Sequence, residues 1–203
     1  MSGHVETVDG IRLPARLSGH PVLDFCNTWT GWDGNAPADF LRTYDDLLVW
    51  STFVGLQTPD ETAALSTRAR RTRAAATATL NRARHLRTGL YEVLTCKEAG
   101  PHWPAVAREL RTALGTAVPV PAAVGVQWRS TAAAAELTAP VTAVALAALK
   151  LLASPAVDQV SACPGVGCGW LFVDHSGRRR WCSMAVCGNR AKARRFADRN
   201  RTD

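Results

Sequence analysis

Apolar and polar positions along this chain fall into blocks whose period changes several times. Ile11 and Leu13 flank Arg12 with the period-two spacing of a short strand. Pro21 can take the first turn of a segment running Val22-Leu23-Asp24-Phe25-Cys26-Asn27-Thr28. Thr43 followed by Asp46 has the form of a capping box ahead of Leu47, Leu48 and Trp50. Thr58-Pro59-Asp60-Glu61 is a stronger start: threonine caps, proline takes the first helical position and glutamate reaches back. The helix it opens runs, with an interruption, to about Thr95, and Leu80, Leu86, Leu90, Val93 and Leu94 form its apolar stripe. Pro104 opens another helix, ended by Gly115. A connector with Pro119 and Pro121 leads to Val124-Gly125-Val126-Gln127-Trp128, whose alternation predicts a strand. Thr138-Ala139-Pro140 begins an alanine- and leucine-rich helix to Ala153, apolar on most sides and therefore central.

Ser154-Pro155 ends that helix, and the pattern changes after it. Val160 to Ala162 leads into two Cys-x4-Cys pairs, Cys163 with Cys168 and Cys182 with Cys187, separated by thirteen residues. Four thiolates at this spacing can close a tetrahedron around zinc, and about forty residues are too few to bury a self-sufficient core. One structural Zn²⁺ would replace that core, so chelation is expected to unfold the module. Disulfides or another metal are the alternatives. Met1 to Gly10 holds no apolar stretch, since His4, Glu6 and Asp9 break it up, which leaves no secretory signature and points to a cytoplasmic chain with reduced thiols. His175, between the pairs, reads as a loop histidine. Trp170 to Val173 returns as a strand, Ser176-Gly177 turns, Arg180-Trp181 leads to Cys182, and Cys187 starts the terminal helix. The fold class is α+β: a mainly helical N-terminal domain with a few strands, residues 1–155, then a small treble-clef-like finger, residues 156–203. Spacing alone leaves a zinc ribbon open.

Composition sharpens the picture at one point. An apolar fraction of 47% with 20% charged residues describes a folded chain, and the most apolar stretch, Ala139 to Ala153, is too short for a membrane span and carries Lys150. The net charge of +7 is concentrated in residues 163–203, where nine basic side chains against Asp174, Asp198 and Asp203 give +6 and leave +1 elsewhere. On the helix after Cys187, Arg190, Arg194 and Arg201 line one flank and Lys192, Arg195 and Arg199 the other; Ala193, Phe196, Ala197 and Asn200 share an arc that would pack Phe196 on the finger. Arg178, Arg179 and Arg180 add a second phosphate-facing cluster. Arginine forks bind phosphate bidentately, and arginine or asparagine also reads base edges, so this surface predicts double-stranded DNA as partner. The bland reading is a solvated charged face, with Asn189 and Arg190 shared between contact and support of the zinc loop.

The residues carry a resemblance. Cys163-x4-Cys168-Gly-Trp-Leu-Phe-Val-Asp174, Arg180-Trp-Cys182-Ser-Met and Cys187-Gly-Asn-Arg190-x-Lys192 resemble the CGNR zinc finger family. Leu23-Asp-Phe-Cys-Asn-Thr28 resembles the "LDFxNT" signature of the ABATE domain that usually precedes that finger. The resemblance implies a bacterial stress-induced transcription regulator, with the zinc cysteines at positions 163, 168, 182 and 187, a DNA-binding treble clef, and an N-terminal domain that senses a ligand. Cys26 stands where the signature commonly has an apolar residue and reads as core. Asp24, Asn27 and Thr28 beside Trp29 and Trp32, with Arg87 as anion partner, form a candidate ligand pocket; the competing reading, which we favour, makes the polar groups braces of the fold. An adaptor that docks its basic finger on an acidic protein or on RNA is the alternative function. An enzyme ranks last, because four thiolates leave zinc no open position. A homodimer would supply contacts that one short finger lacks.

Overall fold

The computed structural model describes residues 4–96, 100–130 and 136–201; the outer limits of the two expected domains, positions 1 and 203, lie outside them. The chain opens with a hairpin of β1 (Val5–Val8) and β2 (Ile11–Pro14), in which Thr7 faces Arg12. Helix α1 (Pro21–Cys26) starts on proline, as its position predicts, with His20 as cap through Nδ1. Two short strands, β3 (Trp29–Thr30) and β4 (Ala38–Asp39), pair next.

Both capping boxes close. Thr43 and Asp46 cap α2 (Tyr44–Phe53), and Thr58 and Glu61 cap α3 (Pro59–Arg71), each satisfying two amide donors that a helix start leaves unpaired. The expected interruption falls at Thr72, and α4 (Arg73–Cys96) follows. Helix α5 (Trp103–Thr116) runs through Gly115 rather than stopping on it. A Cβ on Gly115 would meet nothing within 4 Å, so the backbone there is under no demand that requires glycine. The proline-bearing connector is itself a strand: β5 (Ala117–Pro121) pairs with β6 (Val126–Ser130), Pro119 opposite Trp128. In a two-stranded ribbon each strand keeps one free edge, which proline tolerates. Helix α6 (Ala139–Leu152) is buried on most of its surface, as its composition predicts.

The main core gathers Phe25, Trp50, Leu86, Leu90 and Leu151 from α1, α2, α4 and α6, with the Phe25 and Trp50 rings 5.1 Å apart. After a short turn at Pro155–Gln159, β7 (Val160–Ala162) pairs with β8 (Leu171–Val173). This last ribbon divides its side chains. Val160, Leu171 and Val173 join the main core, whereas Trp170 and Phe172 join the four C-terminal cysteines in a second cluster. A wide turn at Met184–Gly188 then leads into α7 (Asn189–Arg199).

Candidate metal centre and nucleic-acid interface

The first cysteine pair sits on the turn between β7 and β8. Cys163 donates its amide to Trp170 O (2.8 Å) and Cys168 its amide to Gly165 O (2.9 Å), which folds the turn so both thiols point inward. The second pair is set by a loop wound on Asp174, whose carboxylate accepts from the amides of Ser176, Arg178 and Arg179 at 3.0–3.2 Å. In the wide turn that follows, the amides of Cys187 and Gly188 both reach Ser183 O.

The four sulfurs lie within 4.8 Å of one another, all buried. Cys182 Sγ is 3.6 Å from Cys168 Sγ and 3.7 Å from Cys187 Sγ. A zinc–sulfur bond of about 2.3 Å gives a tetrahedron edge of about 3.8 Å, so the separations fit the ion. Gly165 closes the cradle: a Cβ there would stand 3.1 Å from Cys187 Sγ and 3.4 Å from Cys163 Sγ. Packed this closely, the thiols hydrogen-bond one another, which holds Cys163 and Cys187 below the usual thiol range and pushes Cys168 and Cys182 above it. A divalent cation lets all four ionise together and releases protons as it binds. The four cysteines form the site of one structural zinc ion. His175 stands apart on Gln159 (2.9 Å). The sequence reading missed His4, whose Nε2 lies 3.5 Å from Cys187 Sγ and 3.7 Å from Cys182 Sγ.

The N-terminal polar set lies against this module. Asn27 is fully buried and pairs with the Leu171 peptide on both sides: Nδ2 donates to Leu171 O (2.9 Å) and Oδ1 accepts from Leu171 N (2.7 Å). Thr28 Oγ1 donates to Phe25 O (2.6 Å). Arg87, read from the sequence as a partner for a ligand's anion, grips the carboxylate of Asp39 with both terminal nitrogens at 2.7 and 2.8 Å; it also donates to Thr28 Oγ1 and lies over the Trp29 ring. Trp29 O accepts from the Trp170 indole (3.0 Å). Of the candidate pocket residues, Asp24 lines a surface depression, with Arg16, His20 and Val54; burial raises its carboxyl, against the Ser18 amide that donates to it. The polar atoms of Asn27 and Thr28 are directed at protein partners. Cys26 is fully buried, its thiol pushed up to about 12 by desolvation.

On the basic side, α7 contains no buried residue. Phe196 is 60% exposed rather than packed on the finger: the helix leaves the zinc turn at its first residues, and among the described residues nothing folds back over its far half. Arg180, Arg190, Arg194 and Arg195 surround a cleft of about 260 Å³ walled by Trp181 and Gly165. Arg190, Lys192, Arg194 and Arg195 have no carboxylate partner among the described residues, whereas Asp198 pairs with Arg201 at 3.2 Å. Asn189 donates its side-chain amide to Ala185 O (3.1 Å). The Arg178–Arg180 run divides. Arg179 turns inward, donating to Leu17 O and Cys182 O (2.7 Å each) and lying 4.5 Å over Phe172; Arg178 and Arg180 stay exposed.

Comparison with known families agrees with this geometry. Residues 159–200 match the CGNR zinc finger, and residues 19–155 match ABATE, described as "Putative stress-induced transcription regulator". Neither is an enzyme family. A search of the curated proteins finds no match. Among the described residues, no helix is long and apolar enough to cross a membrane.

Proposed function

Because the chain belongs to the ABATE family and carries a CGNR zinc finger behind that domain, we propose that it is a zinc-dependent, DNA-binding transcription regulator of the cytoplasm and nucleoid. The carrying observation is α7: a helix without one buried residue, whose Arg190, Lys192, Arg194 and Arg195 have no carboxylate partner among the described residues. A helix about 10–12 Å across fits a major groove of similar width, and arginine forks there reach both phosphates and base edges. Arg178, Arg180 and Arg199 extend the contact along the backbone, and Asn189 holds the zinc turn. In this reading Arg179 supports the finger from inside. The zinc ion is structural, and no enzymatic step is assigned to the chain. A small effector bound by the N-terminal domain, acting on DNA affinity, and a homodimer reading two half-sites belong to the same proposal.

The test is fluorescence anisotropy on labelled duplexes from the organism's own promoters across a salt series, with scrambled duplex and single-stranded RNA as controls. Zinc-loaded protein is expected to prefer some duplexes, with affinity falling steeply in salt. The Arg194→Ala/Arg195→Ala variant should keep its zinc and lose about two units of the log–log salt slope. Unchanged affinity in that variant rules the assignment out. A second reading, an adaptor for an acidic protein partner, draws on the exposed Phe196 and Met184 beside the basic flanks. Weak, equal binding to every nucleic acid tested, with nuclease-resistant capture of one stoichiometric protein, would favour it.

A further inference from the structure

The zinc site has an asymmetry among its four sulfurs. A ZnS₄ centre carries a net charge of −2, and a buried charge of that size requires hydrogen-bond donors to its sulfurs. The first pair finds them in the backbone: the Trp170 amide of its own turn faces Cys168, and the Cys182 amide of the second pair faces Cys163. Cys187 has instead a side chain from the far end of the chain. His4 is 6% exposed, and its ring lies 4.9 Å from that of Trp170. The hairpin that follows holds it there, since Ala15 N donates to His4 O (2.7 Å) ahead of the β1–β2 ladder. Nε2 straddles the Cys182–Cys187 edge at 3.7 and 3.5 Å. His4 is not among the four residues whose donor atoms lie mutually within 4.8 Å, so it borders the tetrahedron without belonging to it. Nδ1 is buried without a partner, so the ring's hydrogen-bonding capacity is spent on the sulfurs alone.

We propose that His4 is a fifth residue of the zinc centre, donating its Nε2–H to the Cys187 and Cys182 thiolates from outside the coordination sphere, and that the N-terminal segment thereby governs how firmly zinc is held. His4 precedes both matched family regions, which begin at residues 19 and 159. A donor at a thiolate withdraws charge from sulfur, which slows its protonation and its attack by electrophiles, and the ring covers the edge by which a chelator would approach. His4 is thus a positioning residue for the metal, independent of whether α7 binds DNA.

The test uses the full chain loaded with zinc. His4→Phe keeps a ring against Trp170 but has no donor, and His4→Gln offers an N–H without the ring. Zinc transfer to a chromogenic chelator is expected to be about 10–100-fold faster for His4→Phe, with partial recovery in His4→Gln. Cobalt-substituted His4→Phe should keep a tetrahedral four-sulfur spectrum with its sulfur-to-metal charge-transfer band moved to lower energy. Equal release from wild type and His4→Phe, or equal acceleration in both variants, overturns the proposal, the latter by reducing His4 to packing. Wild-type protein loaded with an NMR-active cadmium isotope gives an answer that needs no variant. A four-sulfur metal shift with weak coupling to the His4 Nε2 proton is the expected result; a three-sulfur, one-nitrogen shift overturns it by making His4 a direct ligand.

Discussion

A side-chain amide that pairs with a peptide on both its donor and its acceptor side leaves two buried groups stranded when it is cut back. Asn27→Ala would strand Leu171 N–H and C=O inside the protein, at a cost of about 2–4 kcal/mol in unfolding free energy. Denaturant titration measures it, and a change below about 0.5 kcal/mol would mean that water replaces the amide. Asn27→Asp should be no better, because it sets a carboxylate oxygen against the Leu171 carbonyl. Asp33 ties the same two segments by charge, accepting from the Gly167 amide at 2.8 Å. That bond, followed by those from Asn35, holds its carboxyl below the ordinary 3.8. A lowered carboxyl contributes stability that is fully present above pH 3.8 and is lost as pH falls through the folded value. Asp33→Ala should therefore lower Tm at neutral pH by a margin that shrinks as the solution is taken below about pH 4. A margin constant with pH would remove the charge from the account.

Elements differ in how far their own sequence describes them. The two capping boxes and the proline helix starts are legible because each is closed by residues three apart in the chain. The cysteine spacing is legible for the same reason, since each pair is fixed by its own turn. What a face packs against is not local. The arc Ala193, Phe196, Ala197 and Asn200 is apolar by periodicity, yet no element among the described residues covers it. Arg179 reads as one of three equivalent arginines until the chain brings Leu17 O beside it. His4 was invisible because nothing near position 4 hints at a metal 178 residues away. The split within the arginine run gives a third prediction. Arg179→Ala should cost about 1–3 kcal/mol of stability by stranding the carbonyls of Leu17 and Cys182, and leave the salt slope of DNA binding unchanged. Arg178→Ala/Arg180→Ala should do the reverse, lowering the slope with stability nearly constant. Thermal melts and the salt series, run on the same preparations, separate the two, and a reduced slope in Arg179→Ala would sink the division.

At the scale of the molecule, the finger is joined to the helical part through its backbone as well as its side chains. Val173 N donates to Ser18 O, Thr30 Oγ1 to Gly167 O and Tyr91 Oη to Gly169 O. Gly169 has φ +70°, and a Cβ there would come 2.6 Å from Trp32 Cβ and 3.0 Å from Tyr91 Oη, where the Trp32 and Tyr91 rings stack at 3.7 Å. The seat admits only glycine, and Val160, Leu171 and Val173 continue the main core through it. The sequence alone predicts that chelation unfolds a forty-residue module. The shared core and the Asn27–Leu171 pairing extend that expectation to the helical part, because losing the β7–β8 ribbon would take Val160, Leu171 and Val173 out of the main core at about 1.5–3 kcal/mol for each such side chain fully exposed. Chelation should therefore lower the unfolding temperature of the whole chain. Amide exchange within α6, a helix that carries no ligand, should accelerate together with exchange in β8, and melts followed by different probes should coincide. Gly169→Ala should reproduce the effect with zinc in excess, since it unseats the finger without replacing a ligand. Two separate transitions after chelation, with α6 protection unchanged, would mean that the helical part stands without the metal and that the shared core is too small to bind the two stabilities together.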